Sequence, residues 1–145
     1  MWLPFTLRAS QSLDADLFYT VTELTMRPHV IAAGGSWEEE SRRDETDQDA
    51  ISSNASVIMV GADNAGILVV ERLPYEVRLE TLYLLPGFQG LGIGSALVSG
   101  LQREVAARCV PLRLHVLKVN PAKRFYESLG FVASHEGLKL HLKTR

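Results

Sequence analysis

One cysteine in 145 residues, Cys109, leaves an intramolecular disulfide without a partner. No Cys/His spacing matches a zinc site. Charge of one sign is scarce too. The 15 basic and 17 acidic residues give a net −2, so no general attraction to nucleic acid or an anionic membrane is expected. No apolar run approaches the roughly 20 residues that span a bilayer. Met1-Trp2-Leu3-Pro4 is not a basic start ahead of a long apolar core. No secretory leader is therefore expected, and the expected setting is reduced and cytoplasmic. What is present is ordinary: 46% hydrophobic and 22% charged residues, the balance of a soluble globular protein. The length fits one domain, 1–145, with a single sizeable core.

Along the chain, Phe5 to Arg8 reads as a short strand. Ser12 reads as the cap of a helix through about Met26, with Leu13, Leu17, Phe18, Val21 and Leu24 on one stripe and Pro28 as its stop. Arg27 to Gly35 then reads as a loop. Ser36 to Glu39 has capping-box spacing, opening a helix through Asp49 that is nearly all polar and expected to pack weakly. Ala55 to Ala62 and Gly66 to Arg72 flank Asp63-Asn64-Ala65-Gly66, read as a hairpin turn. Val77 to Leu84 is a third strand of that meander. A glycine-rich turn follows, then a helix over Ser95 to Ala107, a buried strand over Leu112 to Val116, the Asn120–Gly130 segment, and final strands around Phe131–Ser134 and Leu138–Leu142. Meander, crossover helix and parallel strand together imply a mixed α/β sheet.

The turn Gln89-Gly90-Leu91-Gly92-Ile93-Gly94-Ser95 carries most of the functional information. Its three glycines bare the backbone N–H groups at a strand-to-helix junction, where the helix N-terminus adds partial positive charge. A pyrophosphate is the natural guest. A Walker loop would need Lys then Ser or Thr after the last glycine, and Ser95-Ala96 stand there. The dinucleotide fingerprint would need a third glycine where Leu97 stands. It would also need a carboxylate near Arg113-Leu114-His115-Val116. The pattern left is Q-x-x-G-x-G, on Gln89, Gly92 and Gly94.

That loop resembles the acyl-CoA phosphate loop of the GCN5-related N-acetyltransferases (GNAT family). A second segment, Asn120-Pro121-Ala122-Lys123-Arg124-Phe125-Tyr126-Glu127-Ser128-Leu129-Gly130-Phe131, is similar to the family's Asn, Tyr and Gly-Phe signature, with the alanine displaced to Ala122. The resemblance covers about Val57 to Leu142, and the first fifty residues carry none of it. It implies an α/β (α+β) fold. The sheet would be mixed, mostly antiparallel, of six to seven strands, splayed at the acyl-CoA site and flanked by about four helices. Residues 1–54 would be acceptor-side helices and 55–145 the acyl-CoA-binding core.

The resemblance also implies a chemistry: acetyl transfer from acetyl-CoA, without a metal, to a primary amine of a small molecule or peptide in a ternary complex. The pantetheine arm would lie along the backbone of Leu82, Tyr83 and Leu84, and one of these N–H groups would polarise the thioester. Asn120 and Phe125 would join Gln89–Ser95 in holding the donor. Asn120 is equally a helix cap ahead of Pro121. The acceptor must shed a proton. An alkyl amine is neutral in only about one molecule in 2,500 at pH 7, a cost of roughly 4.6 kcal/mol. Glu80 and His115 are the candidate bases, against readings as a solvated strand charge and a satisfied strand histidine. For Glu80, burial beside Leu82 and Leu84 on one strand face is expected. Tyr126 stands at the family's tyrosine position, where it would protonate the departing thiolate, or else be a core aromatic. Acceptor choice is expected near His29, Trp37 and Tyr75. The partners exclude nucleic acid and membrane, and a homodimer is left open. A non-catalytic acyl-CoA-binding or regulatory module is the alternative, and a nucleotide-binding regulator the third reading.

Overall fold

The computed structural model describes residues 4–117, 120–135 and 139–144. The strands are β1 (Thr6–Ala9), β2 (Ala55–Val60), β3 (Asp63–Arg72), β4 (Val77–Leu84), β5 (Leu112–Leu117), β6 (Phe131–His135) and β7 (Lys139–Thr144). The helices are α1 (Ala15–Ala32), α2 (Glu39–Ala50), α3 (Ile93–Arg108) and α4 (Lys123–Ser128). The hydrogen-bonded strand order is β1-β2-β3-β4-β5-β7-β6. Pairs β1–β2, β2–β3, β5–β7 and β6–β7 are antiparallel and β4–β5 is parallel. This is the mixed, mostly antiparallel architecture expected from the sequence. Leu138 of the final expected strand lies outside the described residues. Among those residues, no helix is long and apolar enough to cross a membrane.

The chain divides into two compact units. The first comprises the residues up to Val69 with Thr81–Ile93, the second Val70–Glu80 with the residues from Gly94 on. The first has a core of Phe18 and Val21 on α1, Ala50 on α2, Ala55 and Val57 on β2, and Ile67 and Val69 on β3. In the second, strand alternation is visible in the burial. Leu112, Leu114 and Val116 on β5 are buried while Arg113 and His115 are exposed. Here Arg72 and Arg108 both reach Glu104, and Arg108 donates to the Leu73 carbonyl.

Several local expectations are corrected. Ser12 caps no α-helix: Ser12–Asp14 form a 3-10 turn ahead of α1. Leu13, in that turn, is 89% exposed, and the stripe that packs inward is Phe18, Tyr19, Val21 and Met26. Pro28 does not stop α1, and the expected 27–35 loop is mostly helix. Pro28 and Leu24, whose carbonyl loses its partner, are both on the exposed side, so water can take that carbonyl. The stop is Gly34 at φ +86, with the Gly34 and Gly35 N–H groups returning to Ile31 and Val30.

No capping box forms at Ser36, whose hydroxyl bonds the Glu38 carboxylate while α2 begins at Glu39. Nor does α2 pack weakly. Thr46 and Ala50 are buried. The Arg43 guanidinium lies 4.0 Å from the Tyr19 ring and Arg42 4.8 Å from the Trp37 ring. Long charged side chains here cover aromatic faces, which a polar/apolar pattern does not register. The β2–β3 turn is at Gly61-Ala62, with Gly61 at φ +61 and Val60 paired to Asp63. Asp63 to Gly66, read from the sequence as the turn, are already strand.

The Arg8–Asp14 pair fixes the start of α1. Two Arg8 N–H groups donate to the Asp14 carboxylate at 2.9 Å each, and the Gln11 N–H adds a third bond at 2.8 Å. The Arg8 hydrogen bonds hold the Asp14 carboxyl below the usual range. A depressed carboxyl stabilises the fold above its unfolded pKa, near 3.9, and that contribution is lost as pH falls through the folded value. Asp14→Asn is expected to cost about 1 kcal/mol at pH 7. Thermal melts should show the gap from wild type closing as pH drops below about 4. A gap that is constant with pH would show that the charge contributes nothing.

Candidate active site

In the first unit the site is built on the end of β4. Leu82, Tyr83 and Leu84 are half-buried, so their strand is partly open to solvent. The Leu85 N–H donates to the Ala65 carbonyl at 2.8 Å, and a 3-10 turn, Pro86–Phe88, swings the chain out of the strand. The Gln89 side-chain amide then donates back to the Leu84 carbonyl at 2.9 Å. Gly90 and Gly92 take φ +75 and +85, a region that side-chain-bearing residues rarely adopt. Ile93 is fully buried and anchors the loop, while Leu91 faces outward, 41% exposed. The loop runs directly into α3, whose first-turn N–H groups have no intrahelical acceptors. Bare backbone and a helix N-terminus thus adjoin, with the helix starting at Ile93, two residues before the expected Ser95.

Tyr83 also packs against the first unit's core. Burial pushes its phenol up, with the charge of Arg42 opposing and those of Asp49 and Glu45 adding. All three charges lie on α2, so the polar helix acts on this tyrosine.

In the second unit, Gly94 sits under Phe125. A Cβ at position 94 would be 3.5 Å from the ring's Cζ, an ordinary contact. Ser95, beside it, is half-buried. The Tyr126 ring is 7% exposed, edge-on to Phe125 at 5.1 Å and to Phe131 at 5.7 Å. Asn120 Oδ1 accepts the Ala122 N–H at 2.9 Å in a turn ahead of α4. The helix starts at Lys123 with Ala122 as its N-cap, so the expected cap ahead of Pro121 does not form. Gly130, at φ +97, closes α4, and Gln102 on α3 donates to the Leu129 carbonyl at 2.7 Å.

Among the described residues, the β4–β5 ladder covers only Val77–Leu79 against Leu112–Leu114. Glu80 and His115 are each the first residue past that last pair, and both are exposed. By register they share the face of Arg78 and Arg113, and both belong to the second unit. The burial expected for Glu80 is absent. His115 also stands opposite His141 in the β5–β7 register.

Of the residues expected near the acceptor, Trp37 has a structural role: its Nε1 donates to the Tyr19 hydroxyl at 3.0 Å. Tyr75 lies exposed in the second unit, His29 half-buried in the first. Two features escaped the sequence reading: Gly66 beneath the end of β4, and the α2 charges around Tyr83. An isolated glycine inside a strand run signals a bulge or a close backbone approach, and could have marked the first. Among the described residues, no group of three or more His, Cys, Asp or Glu is placed to hold a metal ion.

Residues 53–133 match a family model described as an acetyltransferase (GNAT) domain. No curated protein matches the chain. Among solved structures the chain is similar to PaiA N-acetyltransferase from Thermoplasma acidophilum in complex with coenzyme A, at 18% identity, 98% of this chain, 99% of that one and a TM-score of 0.75. An acetyltransferase from Thermus thermophilus is similar at 21% identity, 99% and 98% coverage and a TM-score of 0.74. Ard1 from Thermoplasma volcanium follows at 18% identity, 96% and 95% coverage and a TM-score of 0.65. At these identities the likeness is one of fold. The family match spans more than half of the chain, which therefore belongs to the GNAT acetyltransferase family.

Proposed function

We propose that this protein transfers the acetyl group of acetyl-CoA to a primary amine of a small molecule or peptide. The observation that carries the reading is the junction from β4 to α3. There the half-buried end of β4 leads into a loop with two left-handed glycines at a helix N-terminus. Such a strand offers backbone groups to an extended amide chain, and such a loop offers N–H groups to phosphates. The family match and the coenzyme A in the Thermoplasma PaiA structure support acetyl-CoA as the donor.

In this reading Gln89–Ser95 hold the pyrophosphate. Leu82–Leu84 pair with the pantetheine, an N–H among them bonds the thioester oxygen, and Asn120 and Phe125 flank the arm. The neutral amine nitrogen attacks the carbonyl carbon, forming the C–N bond. The tetrahedral intermediate collapses, the C–S bond breaks, and the thiolate takes the Tyr126 phenol proton. The nitrogen's surplus proton goes to the base, Glu80 or His115. Thiol release measured against a panel of small amines and peptides tests the activity. Coenzyme A binding without thiol release from any amine would favour the non-catalytic module.

The rate is expected to rise with pH through one group and then level off. Glu80→Gln and His115→Gln each keep size and hydrogen bonding while removing a titration. Only one of them should lose the acid limb, with Glu80 favoured because its strand continues directly into the donor segment. If both keep the full profile, neither is the base and the amine is deprotonated through water.

A further inference from the structure

The bend at the end of β4 has an unassigned support on β3, in the first unit. Between Ile58 and Met59 the β2–β3 register shifts: Ile58 pairs with Gly66 and Met59 with Asn64, leaving Ala65 as the extra residue of a bulge. The Ala65 carbonyl, with no β2 partner in that register, accepts the Leu85 N–H. Gly66, beside it, has no room for a side chain. A Cβ there would collide with the Tyr83 carbonyl oxygen, and would lie 2.9 Å from Leu84 Cδ2 and 3.1 Å from Leu84 Cα. The first obstacle and the last are backbone, so nothing there can swing aside. Side chains in a regular sheet stand roughly perpendicular to it and clear the neighbouring strand. The collision therefore records β4 leaning over β3 at Tyr83–Leu84.

Three features thus converge on one corner: the space at Gly66, the Ala65–Leu85 bond and the Gln89–Leu84 bond. That corner orients the last residues of β4 and launches the loop through Gly90 and Gly92. We propose that Gly66 is a positioning residue for the acyl-CoA site, which allows the β4 backbone to lean in and so aims the Leu82–Leu84 groups and the loop N–H groups at the donor. The proposal rests on the acyl-CoA reading above. Gly66 touches no donor in it and acts through Tyr83 and Leu84. A backbone displaced by the added carbon misaligns donors whose value depends on placement.

The test compares wild type, Gly66→Ala and Ile67→Val, the last trimming a buried neighbour on the same strand without crowding β4. Coenzyme A titration calorimetry and amide hydrogen exchange at Leu85 are the readouts, taken where melts show all three folded. Gly66→Ala is expected to weaken coenzyme A about 10- to 100-fold and to speed exchange of the Leu85 amide. Ile67→Val should leave affinity near wild type, which separates positioning from lost stability. Unchanged affinity in folded Gly66→Ala overturns the proposal, as does an equal loss in Ile67→Val. Wild type that binds no coenzyme A overturns the acyl-CoA reading instead, while Leu85 exchange still decides whether Gly66 sets the corner. Should Gly66→Ala not fold, Gln89→Leu at its exposed position releases the Leu84 carbonyl. Faster exchange at Leu85 and Phe88 then supports the corner and unchanged exchange overturns it.

Discussion

Gly92→Asp is expected to abolish the heat of coenzyme A binding in a protein that still folds. Position 92 combines two demands. Its φ of +85 lies where a side chain is strained, at roughly 1 to 2 kcal/mol for most residues and less for Asp or Asn. The same position immediately precedes α3, whose first N–H groups are free to meet an anion. An aspartate there sets a negative charge against phosphate oxygens in the space they would occupy. Gly92→Asn controls for shape, because it has the same size and a similar tolerance of positive φ without the charge. The expected order of coenzyme A affinity by calorimetry is glycine, then asparagine, with aspartate beyond detection. Wild-type affinity in a folded Gly92→Asp protein would remove the phosphate-loop assignment. Tight binding of NADH or ATP by wild type would replace it.

Tyr126→Phe is expected to separate binding from chemistry. The Tyr126 ring is held edge-on by Phe125 and Phe131, and phenylalanine keeps both contacts. Affinity for acetyl-CoA should therefore change little. Turnover should fall by about 100- to 10,000-fold, the usual worth of a positioned general acid. Thiol release under saturating donor, with any amine that serves wild type, makes the comparison. Wild-type turnover in the variant would return Tyr126 to the core as packing alone.

The sequence made some of this architecture legible because some of its signals are local. The β5 alternation of Leu112, Leu114 and Val116 with Arg113 and His115 is a period-two pattern that burial follows residue by residue. The loop was legible because its glycines at a strand–helix junction were joined by a second matching segment, Asn120–Phe131, and Gly90 and Gly92 both have positive φ. Features that depend on distant residues were hidden. Pro28 reads as a helix stop, but α1 accommodates it on an exposed side and ends at Gly34. The polar helix from the Ser36–Glu39 segment through Asp49 reads as weakly packing, yet Arg42 and Arg43 find Trp37 and Tyr19 rings that only tertiary folding supplies. Gly66 reads as a turn glycine because sequence cannot show Tyr83 overhead.

The arrangement around Arg42 has an optical consequence. Trp37 is one of only two tryptophans in the chain, and it is pinned by its bond to Tyr19 beneath the Arg42 guanidinium. The charge of that arginine also acts on the Tyr83 phenol, on the strand that leads into the Gly90–Gly92 loop. A shift of α2 would uncover the indole at one end and alter the tyrosine's surroundings at the other. Emission from Trp37, read in a chain whose Trp2 is replaced, is therefore a gauge of whether α2 stays seated against α1.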